Sequence, residues 1–211
     1  MRHWKPFVLA LAVAASMAAV SRASDEHVCF SSDNERRIAG CTELIEQPGV
    51  PANTRAAAHA TRALAYSQKG QYERAVRDFD AAIQLVPDFA VALNNRAWVH
   101  FKSGRPAVGL PDVEESLRIE PTSHHAYDTR AHIRQWLGDG AGALRDYEAA
   151  MYFGGERMIK LYQCGLAAHK LYGGAIDGVE TPDLRRALRI CVEGTACDPL
   201  PPDEDCRAAT S

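Results

Sequence analysis

Apolar residues recur along this chain at helical spacing, and the pattern itself repeats. Over residues 72–86, Tyr72, Ala75, Val76, Phe79, Ala82, Ile83 and Val86 stand three and four positions apart. That spacing predicts one apolar stripe on an amphipathic helix. Residues 56–69 place Ala63, Tyr66 and further small residues on a second helical stripe. Gly70 separates the two stretches, and Pro87 ends the second because proline cannot continue a hydrogen-bonded helix. The unit reads helix, short turn, helix, stop. Arg62-Ala63, Arg96-Ala97 and Arg130-Ala131 are each 34 positions from the next. Gly70, Gly104 and Gly138 keep the same step, as do Asp78, Asp112 and Asp146. Pro87 and Pro121 fall on it too, with Gly155 in the third slot. A period in this range marks an array whose units bury their apolar faces only by stacking on neighbours.

The unit resembles the tetratricopeptide repeat (TPR), and three copies follow without a gap: 56–89, 90–123 and 124–157. The first carries Ala63, Tyr66, Gly70, Ala75, Phe79, Ala82 and Pro87 at the signature places. The second departs, with His100 at the tyrosine place, Gly109 for an alanine, and Pro106 and Pro111 in its second helix. That helix is expected to be short or bent at its start. The third keeps Ala131, Gly138, Ala143, Tyr147 and Ala150 but has Arg134 at the tyrosine position. The resemblance implies an all-α array of helical hairpins whose concave face binds a peptide or protein partner. Its inward first-helix positions are Leu64, Asn94, Trp98, Phe101, His125, Asp128 and His132. Trp98 is the expected anchor, since tryptophan is enriched at binding hot spots.

The recurring Arg and Asp could form a basic ligand-binding row or an interhelical ion pair within each unit. The acid recurs in step with the arginine, which favours the pair. His125, Asp128 and His132 share one helix face at i, i+3 and i+7. Two histidines and one aspartate leave a metal site short of ligands. A polar patch in the groove is expected there, with no metal and no cofactor.

The N-terminus indicates the compartment. Arg2, His3 and Lys5 precede an apolar run from Phe7 to Val20, and Ser21-Arg22-Ala23 follows. This is the pattern of a secretory signal peptide, with cleavage expected after Ala23. The apolar run is short for a membrane span, so the mature chain is expected to be periplasmic or secreted and not membrane-spanning. Removing the leader takes away Arg2, Lys5 and Arg22 and no acid, so the formal charge of −3 becomes −6. An acidic chain without a basic stretch argues against nucleic acid as a partner. All six cysteines, Cys29, Cys41, Cys164, Cys191, Cys197 and Cys206, lie outside the repeats or beyond them. An even count in an exported chain reads as disulfides. Residues 32–46 read as a lone capping helix within the segment 24–55, to which Cys29–Cys41 would tie the preceding chain.

After the third repeat the pattern changes. A helical run over 158–172 is followed by two glycines and Ile176-Asp177-Gly178, a tight loop. Thr181-Pro182 then reads as a helix N-cap followed by proline at the first helical position. Gln163, Leu166, Tyr172, Gly174, Ile176-Asp177-Gly178, Arg186-Ala187 and Leu188 resemble the small peptidoglycan-binding domain of bacterial cell-wall hydrolases. The resemblance implies a small three-helix domain over 158–193, with Tyr172, Ile176, Asp177 and Gly178 at the wall-contact loop. His169-Lys170, Glu180, Thr181, Leu184 and Cys191 depart from that family's pattern. Two readings therefore stand, peptidoglycan contact and a helical cap closing the array. Cys164 is expected to pair with Cys191 across the small domain, leaving Cys197 and Cys206 to close the Pro- and acid-rich tail, 194–211.

No Ser–His–Asp order, zinc helix motif or phosphate loop appears, and no catalytic residue is assigned. The expected function is an exported, non-enzymatic adaptor binding a peptide or protein, with peptidoglycan as a second expected contact. The alternatives are a wall-active enzyme or hydrolase accessory subunit, and a structural oligomerisation module.

Overall fold

The structure, a computed structural model, describes residues 28–194 and 197–200. The expected signal peptide, Cys206 and the tail beyond residue 200 lie outside the described residues. The chain divides into two compact units, Met1–Ala92 and Leu93–Ser211. Among the described residues all regular structure is helical.

The first unit contains α1 (Asn34–Glu46), α2 (Ala52–Gln68) and α3 (Tyr72–Leu85). Asp33 caps α1, its carboxylate accepting from the Arg36 N–H at 2.8 Å. α1 packs on α2, and α2 on α3. The Cys29–Cys41 disulfide ties the chain entering α1 to the helix. There Gly40 admits the backbone so closely that a Cβ would stand 2.6 Å from the Cys29 nitrogen. Cys29, Cys41, Leu44, Val50 and Ala58 form the small core beneath. Arg62 joins all three helices. Its Nε and Nη2 donate to the two Asp78 oxygens at 2.8 and 2.7 Å, and Nη1 donates to Thr42 Oγ1 at 2.8 Å.

The second unit takes in most of α4 (Ala90–Lys102), then α5 (Pro106–Ile119), α6 (His124–Trp136), α7 (Gly140–Ala168) and α8 (Pro182–Glu193). The same bidentate pairs recur, Arg96 with Asp112 and Arg130 with Asp146, at 2.7 to 2.9 Å. Arg134 adds an Nη1 bond to Asp146 at 2.8 Å, which accounts for an arginine at the tyrosine place. The periodic glycines supply the turns. Gly70, Gly104 and Gly138 have φ of 70°, 75° and 85°, a region that side chains with a Cβ disfavour.

Three expectations need correction. First, α5 is not short. It runs 14 residues, as α3 does, with Pro106 in the first turn, where the helix needs no N–H from it, and with Pro111 inside the helix. Second, residues 158–193 form two helical segments and not three. The first is the end of α7, which breaks at Gly155 (φ 60°, ψ −150°), the slot that proline fills in the other repeats, and then resumes. Residues 169–181 are irregular up to α8. Among the described residues this region shares its core with the third repeat. Tyr162, Leu166, Tyr172, Leu184 and Leu188 share one cluster with Ala131, Ala143, Tyr147 and Ala150 of the third repeat. Third, Cys191 bonds Cys197 and not Cys164, and Cys197 does not bond Cys206. The chain folds back just after α8, bringing the two Cα atoms to 5.2 Å across six positions. Cys164 is itself disulfide-bonded.

Candidate functional site

In the second unit, α4 and α6 present successive polar and aromatic residues at helical spacing. Asn94, Trp98 and Phe101 form a stripe on α4, and Asp128, His132 and Gln135 form one on α6. Trp98 stacks on Phe101 at 5.2 Å between centroids, and His132 meets both edge-on at 5.4 and 5.7 Å. The contacts continue inward from His132 to Tyr147 at 5.2 Å and from Tyr147 to Tyr162 at 5.5 Å. Lys102 lies over the Trp98 ring at 5.7 Å, within cation–π reach.

His132 is the electrostatic centre. Its Nδ1 is 2.8 Å from the Asp128 carbonyl oxygen, and its Nε2 is 2.9 Å from Asp198 Oδ1. Both neighbours can only accept, so both ring nitrogens donate, which requires the imidazolium. Burial alone would lower its pKa, but the Asp128 and Asp198 carboxylates outweigh burial and push it up to about 9. Asp128 is buried, and burial drives its carboxyl up against the pull of His132 and of the Tyr162 hydroxyl, which donates to Oδ1 at 2.6 Å. At Asp198 burial is likewise opposed, and the His132 hydrogen bond prevails to hold the carboxyl below its ordinary range.

Gln135 straps the chain after α8 to this face. Its Nε2 donates to the Cys197 carbonyl at 2.8 Å, while its Oε1 accepts from the Tyr147 hydroxyl at 2.8 Å. Phe101, His132, Gln135, Trp136, Gly194, Cys197 and Asp198 line a cleft of about 250 Å³. Cys197 is spent in a disulfide, so its sulfur offers no free thiol to the cleft. The arrangement can hold a carboxylate and an extended backbone. Among the described residues no group of three side chains is placed to hold a metal ion.

The expected lining residues fall into three groups. Trp98, Phe101, Asp128 and His132 come together. Asn94 is buried on the Trp98 stripe, and its Oδ1 has no hydrogen-bond partner among the described residues. His125 is exposed, its ring 4.0 Å from that of His124, and Leu64 belongs to the first unit, half-buried on α2. Sequence reading missed Gln135 and Asp198. Gln135 lies on the Asp128–His132 stripe, and Asp198 follows a cysteine six positions from another, so both carried a signal.

The loop between α7 and α8 is organised by Gln163, which is fully buried. Its Oε1 accepts from the Asp177 and Gly178 N–H groups at 3.0 and 2.9 Å, and its Nε2 donates to Asp177 Oδ1 at 3.0 Å. Tyr172 donates to the Ala175 carbonyl at 3.1 Å. Gly178 has φ 80° and lies against Glu156. Tyr172, Asp177 and Gly178 thus shape the loop from within, while Ile176 and Val179 are exposed.

Helix pairs with a left-handed glycine at each turn now have a family counterpart. Residues 63–104 match the TPR repeat family. A tetratricopeptide repeat and J domain-containing co-chaperone of Cryptococcus neoformans var. grubii is 32% identical over 158 residues, 72% of this chain and 28% of that protein. Serine/threonine-protein phosphatase 5 of Mus musculus is 28% identical over 120 residues, 57% of this chain and 24% of the phosphatase. The chain therefore spans only about a quarter of the length of these relatives. Among solved structures, MamA from Desulfovibrio magneticus RS-1 superposes with a TM-score of 0.57 at 18% identity, covering 69% of this chain and 80% of that one. That likeness concerns the TPR-like helical arrangement alone.

Proposed function

We propose that this chain is an exported, non-enzymatic TPR adaptor that binds an extended peptide or protein segment along the inner faces of α4 and α6. The observation that carries this reading is the Trp98–Phe101–His132 cluster, which combines an aromatic seat with a cation on successive first helices. The buried Asn94 acceptor on the same stripe, without a hydrogen-bond partner among the described residues, supports it. Export to the periplasm or beyond is supported by the N-terminal leader pattern and by the disulfides. Capture from an envelope extract, wild type against Trp98→Ala, tests the reading. Loss of the aromatic anchor should weaken the captured partner by about 2 kcal/mol or more in calorimetry. An unchanged affinity moves the site elsewhere.

Residues 158–193 share the core of the third repeat, so a helical cap is their first role. Peptidoglycan contact is a second reading, favoured by the exposure of Ile176 and Val179 on a loop that Gln163 holds in one shape.

A further inference from the structure

The chain after α8 occupies the cleft as a ligand would. Asp198 places a carboxylate on His132, and its Oδ1 also accepts from the Leu200 N–H at 2.9 Å, closing a turn over Pro199. The Asp198 N–H meets His169 Nε2 at 3.4 Å, and Lys102 acts on the carboxylate from α4. Gln135 holds the segment by a main-chain carbonyl, a contact that any extended peptide can reproduce.

We propose that residues 197–200 are a tethered occupant of this cleft, and that Asp198 stands on His132 where a carboxylate of an external acidic, proline-containing segment would bind. This rests on the peptide-binding reading and specifies its ligand class and its control.

Charge, tether and space all point to that occupant. The face presents His132 and Lys102, whereas residues 198–205 carry four acids and three prolines. The tether is short, because the six-position Cys191–Cys197 link holds the segment to α8 and Gln135 holds it to α6. The Asp198 side chain is 52% exposed while that of His132 is 3% exposed, so solvent reaches the carboxylate, whereas Pro199 is buried and Leu200 packs on the third repeat's core. Space for a longer ligand remains in the cleft, with Trp136 63% exposed at its edge. The competition is intramolecular. An occupant present nine-tenths of the time lowers the apparent affinity of an external ligand about tenfold.

The test uses the full chain and a synthetic peptide Ser-Asp-Pro-Leu-Pro-Pro, the sequence of residues 197–202 with serine for Cys197. Tryptophan fluorescence and proton–nitrogen NMR report binding to wild type, Asp198→Ala and the shape-keeping Asp198→Asn. Circular dichroism confirms that each is folded. The peptide should bind both variants at least about tenfold more tightly than wild type. Replacing its aspartate by asparagine should abolish the gain. Equal binding to wild type and variants overturns the tethered occupant. Equal binding of the Asp and Asn peptides overturns the carboxylate ligand. A peptide that binds none of the folded proteins overturns both. The groove reading is judged separately, by the dependence of the captured partner on Trp98.

Discussion

The first and third repeats carry the same Arg–Asp pair, yet they use the rest of the first helix in opposite ways. On α2 the buried positions are alanines, Ala56, Ala58, Ala60, Ala63 and Ala65, which serve close packing. On α6 the buried positions include Asp128, Thr129 and His132, polar groups expensive to bury without partners. Residues that recur at the period build the helix pair. Residues that break it, such as His132 and Arg134, mark where one repeat does something the others do not.

The largest effects should come from the pairs that both repeats share. Asp146 takes hydrogen bonds from Arg130 and Arg134, whereas Asp78 takes them from Arg62 and His59. Asp146→Ala removes the carboxylate from two half-buried guanidinium groups and should cost up to about 3–5 kcal/mol. Asp78→Ala should fall at the low end of that range, because Arg62 keeps Thr42. Urea unfolding, with hydrogen exchange resolving α2–α3 from α6–α7, measures both. A costlier Asp78→Ala would show that the second arginine adds nothing.

The two repeats should also weaken at opposite ends of the pH scale. Burial alone would raise the pKa of Asp78, but Arg62 and His59 hold its carboxyl below the ordinary 3.8. Its contribution is present above that value and is lost as pH falls below it. His132 runs the other way. Its pKa rises from 6.5 to about 9, so its contribution is full below pH 6.5 and disappears as pH climbs through about 9. The shift corresponds to about 3 kcal/mol. The groups facing it are Asp128 on its own helix, Tyr147 and Tyr162 on α7, and Asp198 after α8. Burial raises both tyrosines well above 10, so neither charges in this window. The raised Asp128 carboxyl acts in the same direction as His132, and the lowered Asp198 adds a loss only in acid. Hydrogen exchange at pH 5, 7 and 9.5 should show α6–α7 loosening in alkali while α2–α3 holds. Parallel loosening of both would count against the His132 assignment.

A finer difference separates the second repeat from its neighbours. Its Gly109 fills the slot held by Ala75 and Ala143. Restoring alanine there would place a Cβ 2.7 Å from the Ala97 carbonyl oxygen and 3.0 Å from its Cα. Both are backbone atoms and cannot swing aside. Gly109→Ala should therefore destabilise by about 1–3 kcal/mol, although it moves the repeat toward the family pattern. A stabilised variant would show that α4 and α5 can separate at no cost.

The periodic features were legible because each unit must solve the same packing problem. The turn glycines, the Arg–Asp steps and the all-helical hairpins followed from spacing alone. The cleft was only half legible. Trp98, Phe101, Asp128 and His132 lie within two helices, but the carboxylate that completes the site is 66 positions beyond His132. No helical period reports such a contact. The Cys164–Cys191 pairing failed for a related reason, since it assumed a small domain with its own core, where residues 158–193 instead share the core of the third repeat.

The smallest effect on stability should come from the α7–α8 loop, where fold and function separate most cleanly. Gln163 carries the loop's internal hydrogen bonds, so the exposed Ile176 side chain is not needed to hold its shape. Ile176→Ser should change stability by no more than about 0.5 kcal/mol, the usual range for surface substitutions. If the loop contacts peptidoglycan, the same change should lower the fraction of chain that co-sediments with purified wall material several-fold. Gln163→Ala should do so as well, but with a loss of stability, because it leaves the Asp177 N–H and the buried Gly178 N–H without their acceptor. A wild-type chain that stays wholly in the supernatant would reduce residues 158–193 to a cap. The frame set by Gln163 would then serve only to close the end of the third repeat's core.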